Sequence, residues 1–439
     1  MDVDAIGDSC PESSRSETEI ARPKKDQWAK PRSWGIRASE VVRASRTQGL
    51  RTVGTRVVRR VYQRSGAARL DFPLLPGDIA DSTRLELSAP IEPPPRSRPL
   101  TIGWICTPPS AGSGGHTTML RMVTAMEEAG HTCVLYLYDR FGGRMERHSE
   151  VIRRGWPDVR AQVRDVADGL CGLDACVATS WQSAHVLASR PALATRRCYF
   201  IQDFEPFFYP RGSEYELAAD TYRFGFHNIA LGEMVASQLR SELGVPHSVA
   251  PFSCDTNVYS LSNVGDRSGV VFYAKPDVAR RGYVLGKLAL EEFHRRRPGD
   301  EIHVYGDRVG DLTVPFIQHE RLTPAALNRL YNSTIAGLAM SFTNISLVAE
   351  EMLACGTIPV VNDSPFSRAD LLNDSVAWVK PTPGSIADAL CQLVEHRDIP
   401  ARASAAAAGI RQDAWGAAGA AVVRIIEEEV YAPAGVRSG

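Results

Sequence analysis

The feature that most constrains the fold is a series of short apolar runs, separated by segments of helical character, that occurs twice in the 439 residues. Strands that alternate with helices predict a parallel, doubly wound sheet. The first series begins near residue 100 and the second near residue 269. We therefore predict an α/β protein with two doubly wound domains that face a cleft. Ligands of such sheets lie at the carboxyl ends of the strands, so we expect the site in this cleft. The apolar runs are LTIGWIC (100–106), CVLYLYD (133–139), DACVATS (174–180), RCYFIQD (197–203), FHNIALG (226–232), GVVFYA (269–274), EIHVYGD (301–307), IAGLAMS (335–341) and TIPVVND (357–363).

The segments outside the two series differ from them in composition. The first residues are polar, charged and without periodicity, which is typical of a disordered tail. IEPPPRSRP (91–99) reads as a proline-rich linker, and the Ala-rich end of the chain reads as helical. The predicted organisation is a disordered tail (1–35), a basic helical segment with linker (36–98), a first α/β domain (99–250), a second α/β domain (251–403) and a C-terminal helix that packs back across the domains (404–439).

The net charge and the length of the apolar runs limit the cellular location and the binding partners that we expect. The formal net charge of −1 gives no electrostatic reason to expect nucleic acid as a partner. No apolar run approaches the roughly 18 residues that cross a bilayer. The acidic, Ser-rich start is unlike a signal peptide, and the scattered cysteines are typical of buried free thiols. We expect a cytoplasmic protein.

Residues 36–70 have an unusual charge balance. Nine arginines stand against one acid, Glu40, with apolar residues at partly helical spacing. A basic amphipathic segment of this kind can lie on anionic lipid, which predicts peripheral contact with the inner face of the cell membrane. The alternative is a solvated helix or one docked on the protein core.

Two motifs of the first series lie where a strand ends. SGGHTTML (113–120) places Gly114 and Gly115 before a helix, where backbone N–H groups can approach a ligand, although a tight turn alone also explains the pair. His116 follows as a catalytic candidate. In YFIQDFEPFFYPRG (199–212), Asp203 and Glu205 directly follow a strand, so we predict catalytic carboxylates there. The alternative is a capping aspartate beside a packed aromatic loop.

Two motifs of the second series suit a phosphorylated ligand. In YAKPDVARRG (273–282), Lys275 follows a strand, and Arg280 and Arg281 begin a helix, which suits a diphosphate; a solvated basic turn is the alternative. In SFTNISLVAEEMLACGTIPVV (341–361), a polar loop precedes a helix N-terminus, which is an anion site. The residues predicted to bind the ligand in that loop and helix are Thr343, Asn344, Ser346, Leu347 and Glu351.

At these residues the chain resembles the family 4 glycosyltransferases of GT-B fold, which have two Rossmann-like domains. The resemblance implies that the first domain (99–250) binds the acceptor and that the second domain (251–403) binds the nucleotide-sugar donor. EEMLACGTIPVV is similar to their E-A-M-A-x-G-x-P-V-V segment, which closes the E-x7-E motif. The resemblance implies that Glu351 is the second glutamate, which binds the nucleotide ribose, and that Gly356 is the motif glycine. The first glutamate, near the donor sugar, would stand eight residues earlier, where this chain has Thr343.

More narrowly, QDFEP, YAKP with its following arginines, and SFTNISLVAEEMLACG resemble the WsaF-like rhamnosyltransferases of bacterial polysaccharide assembly, over roughly residues 80–400. In that group an arginine commonly precedes the proline of the third motif. Lys275 keeps the charge here but lacks the bidentate fork of arginine.

The resemblance implies a retaining sugar transfer without a bound metal or other cofactor. The expected donor is dTDP-L-rhamnose, and the expected acceptor is a cell-surface or lipid-linked glycan. Protein groups must then meet the charge of the leaving diphosphate, and Lys275, Arg280 or Arg281, and the amides near Ser346 are available. Two alternatives stay open: a sugar-nucleotide 2-epimerase of the same fold, and a non-catalytic nucleotide-sugar-binding subunit.

Overall fold

The computed structural model describes residues 72–90, 92–110, 112–252, 254–320, 322–345, 347–411 and 414–432. The predicted disordered tail (1–35), the basic segment (36–70) and Ser346 lie outside the described residues. The chain divides into two units after Leu74, and the description below concerns the unit that begins at Leu75.

The first domain is built on a seven-stranded sheet with the order β3-β2-β1-β4-β5-β6-β7, and every strand pair is parallel. Its central strands are buried over almost their whole length, which is why they read as continuous apolar runs. The strands are β1 (Thr101–Cys106), β2 (Thr132–Leu137), β3 (Gln162–Asp165), β4 (Ala175–Ala178), β5 (Arg196–Ile201), β6 (His227–Leu231) and β7 (His247–Ala250). The helices are α1 (Gly114–Glu128), α2 (Met145–Gly155), α3 (Trp181–Ala188), α4 (Ser213–Thr221) and α5 (Glu233–Gln238).

The second domain repeats this topology in a six-stranded parallel sheet with the order β10-β9-β8-β11-β12-β13. The strands are β8 (Val270–Ala274), β9 (Ile302–Gly306), β10 (Ile317–Gln318), β11 (Ala336–Leu338), β12 (Ile358–Asn362) and β13 (Ala377–Val379). The helices are α6 (Tyr283–Arg296), α7 (Pro324–Ser333), α8 (Leu347–Ala354), α9 (Pro365–Asp370), α10 (Pro383–Val394) and α11 (Ile399–Ala408). The two doubly wound parallel sheets confirm the predicted α/β fold class.

Both sheets have a switch point, where the strand order reverses beside the first strand of the domain. In the first sheet β1 lies between β2 and β4, and in the second sheet β8 lies between β9 and β11. Loops that leave neighbouring strands in opposite directions at such a point open a crevice at the carboxyl ends of the strands. The fold thus provides one crevice in each domain.

The last helix, α12 (Ala414–Tyr431), belongs to the core of the first domain although it follows the second domain in the chain. Its buried residues Val422, Ile426 and Val430 lie in the same apolar cluster as the strands of the first sheet. The preceding helix α11 stays with the second domain, where Ala406 is part of the core. The chain therefore crosses back between the domains after residue 408.

The motif glycine, Gly356, ends α8 in a left-handed conformation with a φ of 82°. A Cβ atom at this position would lie 2.8 Å from the Cβ of Ala403 and 2.8 Å from Nη2 of Arg267. Both the backbone conformation and the close packing therefore require glycine.

Among the described residues, none of the helices has the length and apolar character needed to cross a membrane.

Candidate active site

A cavity of about 690 Å³ lies between the two domains and is lined by residues of both. It opens at the two switch points, since Thr107 and Ser180 follow β1 and β4 in the first domain, and Lys275 and Asn344 follow β8 and β11 in the second. Its volume lies within the range of about 300–1,000 Å³ that is usual for small-molecule sites. The cavity is therefore the candidate active site.

The second domain contributes three cationic side chains to the cavity wall: Lys275, Arg280 and Arg281. Lys275 follows β8 and forms an ion pair with Asp307, with 2.8 Å between Nζ and Oδ1. Arg281 is largely buried, which lowers its pKa, and its Nη1 donates to the Ser341 hydroxyl at 2.9 Å. Three cations at one wall make the cavity suitable for a ligand with several negative charges.

Arg280 is held by side chains of the first domain. Its guanidinium lies over the ring of Phe208, 4.1 Å from the ring centroid, and its Nε lies 3.9 Å from Oδ2 of Asp203. The latter distance is too long for a hydrogen bond, and Nε is buried without a hydrogen-bond partner among the described residues. Arg280, which lines the cavity, therefore retains an unused hydrogen-bond donor.

Asp203, a predicted catalytic residue, is buried at the end of β5 and joins the two domains. Its Oδ2 accepts a hydrogen bond from the Thr343 hydroxyl at 2.8 Å, and its Oδ1 accepts one from the Asn344 N–H at 3.1 Å. Burial raises the pKa of Asp203, and the nearby Arg280 opposes that rise. Thr343, predicted to bind the ligand, is 1% exposed, faces Asp203 and does not line the cavity.

Glu205, the second predicted catalytic carboxylate, lines the cavity and also accepts hydrogen bonds from groups of the first domain. Its Oε2 accepts hydrogen bonds from the backbone N–H of Trp181, in the first turn of α3, and from the Tyr199 hydroxyl at 2.9 Å. Burial raises the pKa of Glu205 to about 8, although these hydrogen bonds lower it. Glu205 is thus an anchor for the α3 N-terminus, and its catalytic role stays a prediction.

The Gly-rich loop lines the cavity with Gly114, Gly115 and His116. Nε2 of His116 lies 3.1 Å from the Thr107 carbonyl, which can only accept, so Nε2 donates. Nδ1 then accepts from the Ser113 hydroxyl at 2.8 Å. Burial lowers the pKa of His116, which favours the neutral ring. Both ring nitrogens are engaged within the loop, and a catalytic role for His116 also stays a prediction.

Glu351 lies in α8 and lines the same cavity, as does Leu347 at the start of that helix. Burial raises the pKa of Glu351 to about 8, and the positive charge of Arg121 from the first domain opposes the rise. The adjacent Glu350 does not line the cavity. The structure thus brings the cations, Asn344, Leu347, Glu351 and the Gly-rich loop to one place.

Comparison with known proteins gives matches over both domains. The chain matches the WsaF N-terminal domain over residues 171–234 and the WsaF C-terminal domain over residues 268–391. The chain is WsaF-like. These matches confirm the resemblance that the motifs indicate, to a WsaF-like protein with the GT-B fold.

A curated relative and two solved structures agree with this. The O-antigen biosynthesis protein RfbC of Myxococcus xanthus is 28% identical over an alignment of 290 residues that covers 59% of this chain but only 22% of that relative. TarM of S. aureus superimposes with a TM-score of 0.60 at 8% identity, over 76% of this chain and 100% of TarM. WaaG, a glycosyltransferase involved in lipopolysaccharide biosynthesis, gives a TM-score of 0.54 at 11% identity, over 76% of this chain and 100% of WaaG. At these identities the two structures establish the GT-B fold alone.

Several residues in or beside the cavity were not predicted from the sequence. Asp307 follows β9 in the run EIHVYGD, and Thr179 and Ser180 end the run DACVATS, so the position after a predicted strand was the available signal. Arg121 gave no such signal. It lies within α1 and meets Asp255 across the interface, with 2.5 Å between Nη2 and Oδ2, a contact that only the tertiary structure reveals.

Proposed function

We propose that the protein is a glycosyltransferase that binds a nucleotide-diphosphate sugar in the cavity between its domains. The observation that carries the proposal is the convergence of Lys275, Arg280, Arg281 and Glu351 on one cavity at the switch points of a GT-B fold. The cations suit a diphosphate, and a carboxyl group on the same wall suits hydroxyl groups. The WsaF matches over both domains support the same activity.

The three cations would act mainly on the leaving group. When the bond between sugar and diphosphate breaks, negative charge develops on the nucleoside diphosphate, and preorganised cations stabilise that charge. Arg280 is already fixed by Phe208 and Asp203, so little reorganisation is needed at that moment. We propose transfer with retention of configuration and without a resident metal, and we assign the ribose to Glu351.

The best candidate for the donor is dTDP-L-rhamnose, and for the acceptor a bacterial cell-surface or lipid-linked glycan. The O-antigen role of the RfbC relative and the lipopolysaccharide role of WaaG support such an acceptor. The TarM structure holds UDP and α-GlcNAc-glycerol, which supports the general pairing of a nucleotide donor with a glycan acceptor in this fold.

The test is incubation of the purified protein with a panel of nucleotide sugars, including dTDP-L-rhamnose, UDP-glucose and UDP-N-acetylglucosamine. Slow release of the nucleoside diphosphate, accelerated by an added glycan, is the expected result. Conversion of the nucleotide sugar into an isomer without acceptor would identify an epimerase instead. Binding without hydrolysis or transfer on any acceptor would identify a non-catalytic subunit.

We also propose a location at the inner face of the cell membrane, with residues 36–70 in contact with anionic lipid. The support is the excess of arginine over acid in that segment. Deletion of residues 36–70 should reduce cosedimentation with phosphatidylglycerol vesicles at low salt and leave activity on a soluble acceptor unchanged. Equal sedimentation of both proteins would refute this location.

A further inference from the structure

Two consecutive residues of the first domain, Gln202 and Asp203, hold a loop of the second domain. The Asn344 side-chain amide donates through Nδ2 to the Gln202 carbonyl at 3.0 Å. The backbone N–H of Asn344 and the Thr343 hydroxyl donate to the two oxygens of Asp203, at 3.1 Å and 2.8 Å. Three hydrogen bonds therefore fix the position and the side-chain orientation of Asn344 across the domain interface.

This arrangement leaves one polar atom of Asn344 without a partner. Asn344 is 3% exposed and lines the cavity, and its Oδ1 is buried with no hydrogen bond to any described residue. Buried acceptors are almost always paired, and a buried polar atom without a partner lowers stability. Because the Gln202 carbonyl fixes the amide through Nδ2, Oδ1 is an unused acceptor of a residue that lines the cavity.

Arg280 beside it shows the same pattern. Its Nε is buried without a hydrogen bond, while the carboxylate of Asp203 and the ring of Phe208 fix the guanidinium from two sides. Asp203 is thus common to both groups: it holds the Asn344 loop through hydrogen bonds and Arg280 through charge. The donor capacity of Arg280 and the acceptor capacity of Asn344 are preorganised by the same carboxylate.

We propose that Gln202 and Asp203 position the second domain for the sugar of the donor. In this arrangement Oδ1 of Asn344 accepts a hydrogen bond from a hydroxyl group of the donor's sugar, and Arg280 binds the adjoining diphosphate. Asn344 is then a sugar-recognition residue, and Asp203 is a positioning residue that acts through Asn344 and Arg280. The inference rests on the proposed function, since it assigns the sugar within the proposed nucleotide-sugar site.

The role of Asn344 is tested with two probes, a nucleotide sugar and its own nucleoside diphosphate. We would use dTDP-L-rhamnose and dTDP, or the pair that the wild-type protein binds in the donor panel. Asn344→Ala should weaken binding of the nucleotide sugar about three- to tenfold, the loss expected for one hydrogen bond, and leave binding of the nucleoside diphosphate unchanged. Equal losses for both probes, or no loss for either, would overturn the assignment.

The role of Asp203 is tested against a matched contact elsewhere in the same interface. Asp370 of α9 in the second domain accepts hydrogen bonds from the N–H groups of Glu233 and Met234 in α5 of the first domain, at 2.6 Å and 3.0 Å, and does not line the cavity. Asp203→Asn should weaken binding of both probes about tenfold, because it removes the charge beside Arg280 and replaces two charge-assisted hydrogen bonds to the Asn344 loop by weaker neutral ones. Asp370→Asn should change binding by less than about threefold.

Equal effects of Asp203→Asn and Asp370→Asn would reduce Asp203 to a general contact between domains and overturn its positioning role. Thermal unfolding of each variant shows whether it folds. If Asp203→Asn does not, Thr343→Val removes one of the three hydrogen bonds and should weaken both probes in the same direction.

Two outcomes distinguish failure of the proposed function from failure of this inference. A wild-type protein that binds no nucleotide sugar would refute both. If the wild-type protein binds and turns over its donor while Asn344→Ala and Asp203→Asn match it, this inference alone is refuted.

Discussion

Lys275 and Asp307 form an ion pair at the cavity wall, with 2.8 Å between Nζ and Oδ1, so the lysine that follows β8 has an anionic partner within the protein. The two residues follow the neighbouring strands β8 and β9. A diphosphate in the cavity would replace or share this carboxylate as the partner of Lys275. The ion pair therefore orients the ammonium group at the cavity wall.

Lys275→Ala should weaken binding of the nucleotide sugar by about 1.5–3 kcal/mol, because a phosphate loses a charge-assisted partner. Asp307→Asn should not weaken it, because the amide oxygen can still accept a hydrogen bond from Lys275 while the competing negative charge is removed. Lys287→Ala is the matched control, since Lys287 also pairs with an aspartate, Asp311 at 3.1 Å, but lies outside the cavity. Isothermal titration of the three variants gives the answer, and equal affinities for Lys275→Ala and wild type would remove Lys275 from the site.

Above about pH 8, where Glu351 is ionised, Glu351→Gln should weaken donor binding with little change in melting temperature, because a neutral amide accepts a weaker hydrogen bond from the ribose than a carboxylate does. Glu350→Gln is the control, since adjacent helical residues point about 100° apart and Glu350 does not line the cavity. Donor dissociation constants and melting temperatures of both variants are the measurement. Loss of binding in Glu350→Gln alone would place the ribose at Glu350, and no loss in either variant would refute the ribose assignment.

Glu205 should make the stability of the protein depend on pH. Its pKa in the folded protein is raised from 4.5 to about 8, so the folded state holds the proton more tightly than the unfolded state. The stabilisation is fully present below about pH 4.5 and is lost as the pH rises through about 8, at a rate of at most about 1.4 kcal/mol per pH unit.

Glu205→Gln keeps an oxygen that can accept from the Trp181 N–H and the Tyr199 hydroxyl but cannot ionise. Urea unfolding between pH 5 and pH 9 should therefore show a shallower decline of the unfolding free energy for the variant than for the wild type. Parallel curves for the two proteins would mean that Glu205 does not titrate in this window.

The helix α12 should be part of the stability of the first domain. Ile426 is fully buried against the strands of the first sheet, so Ile426→Ala should lower the unfolding free energy by about 2–5 kcal/mol. Arg424→Ala, an exposed position of the same helix, should change it by no more than about 0.5 kcal/mol. Denaturant titration of both variants is the measurement. If Ile426→Ala lowers the unfolding free energy no more than the control does, α12 does not contribute to the stability of the first domain.

The sequence predicted the central strands well and the edge strands poorly. The runs at 100–106, 197–203 and 269–274 became β1, β5 and β8, because strands covered by helices on both faces are apolar along their whole length. Gln162–Asp165 and Ala377–Val379 were not predicted. They are short, and Gln162–Asp165 is also half-exposed, so their local composition resembles that of loops, and their pairing with a neighbouring strand makes them part of the sheet.

By itself the sequence determined which polar residues follow which strands. The periodicity that marks a strand or a helix is a local property of the chain, so it can be read from the sequence. In a parallel sheet the residues that follow the strands lie near the carboxyl ends, and this places Lys275, Arg280 and Glu351 there. The tertiary structure alone decided which of these side chains meet. Thr343 was expected at the ligand and instead donates to Asp203, a residue 140 positions away. That partner could not be predicted from spacing, because the distance between the two atoms is set by the packing of two whole domains.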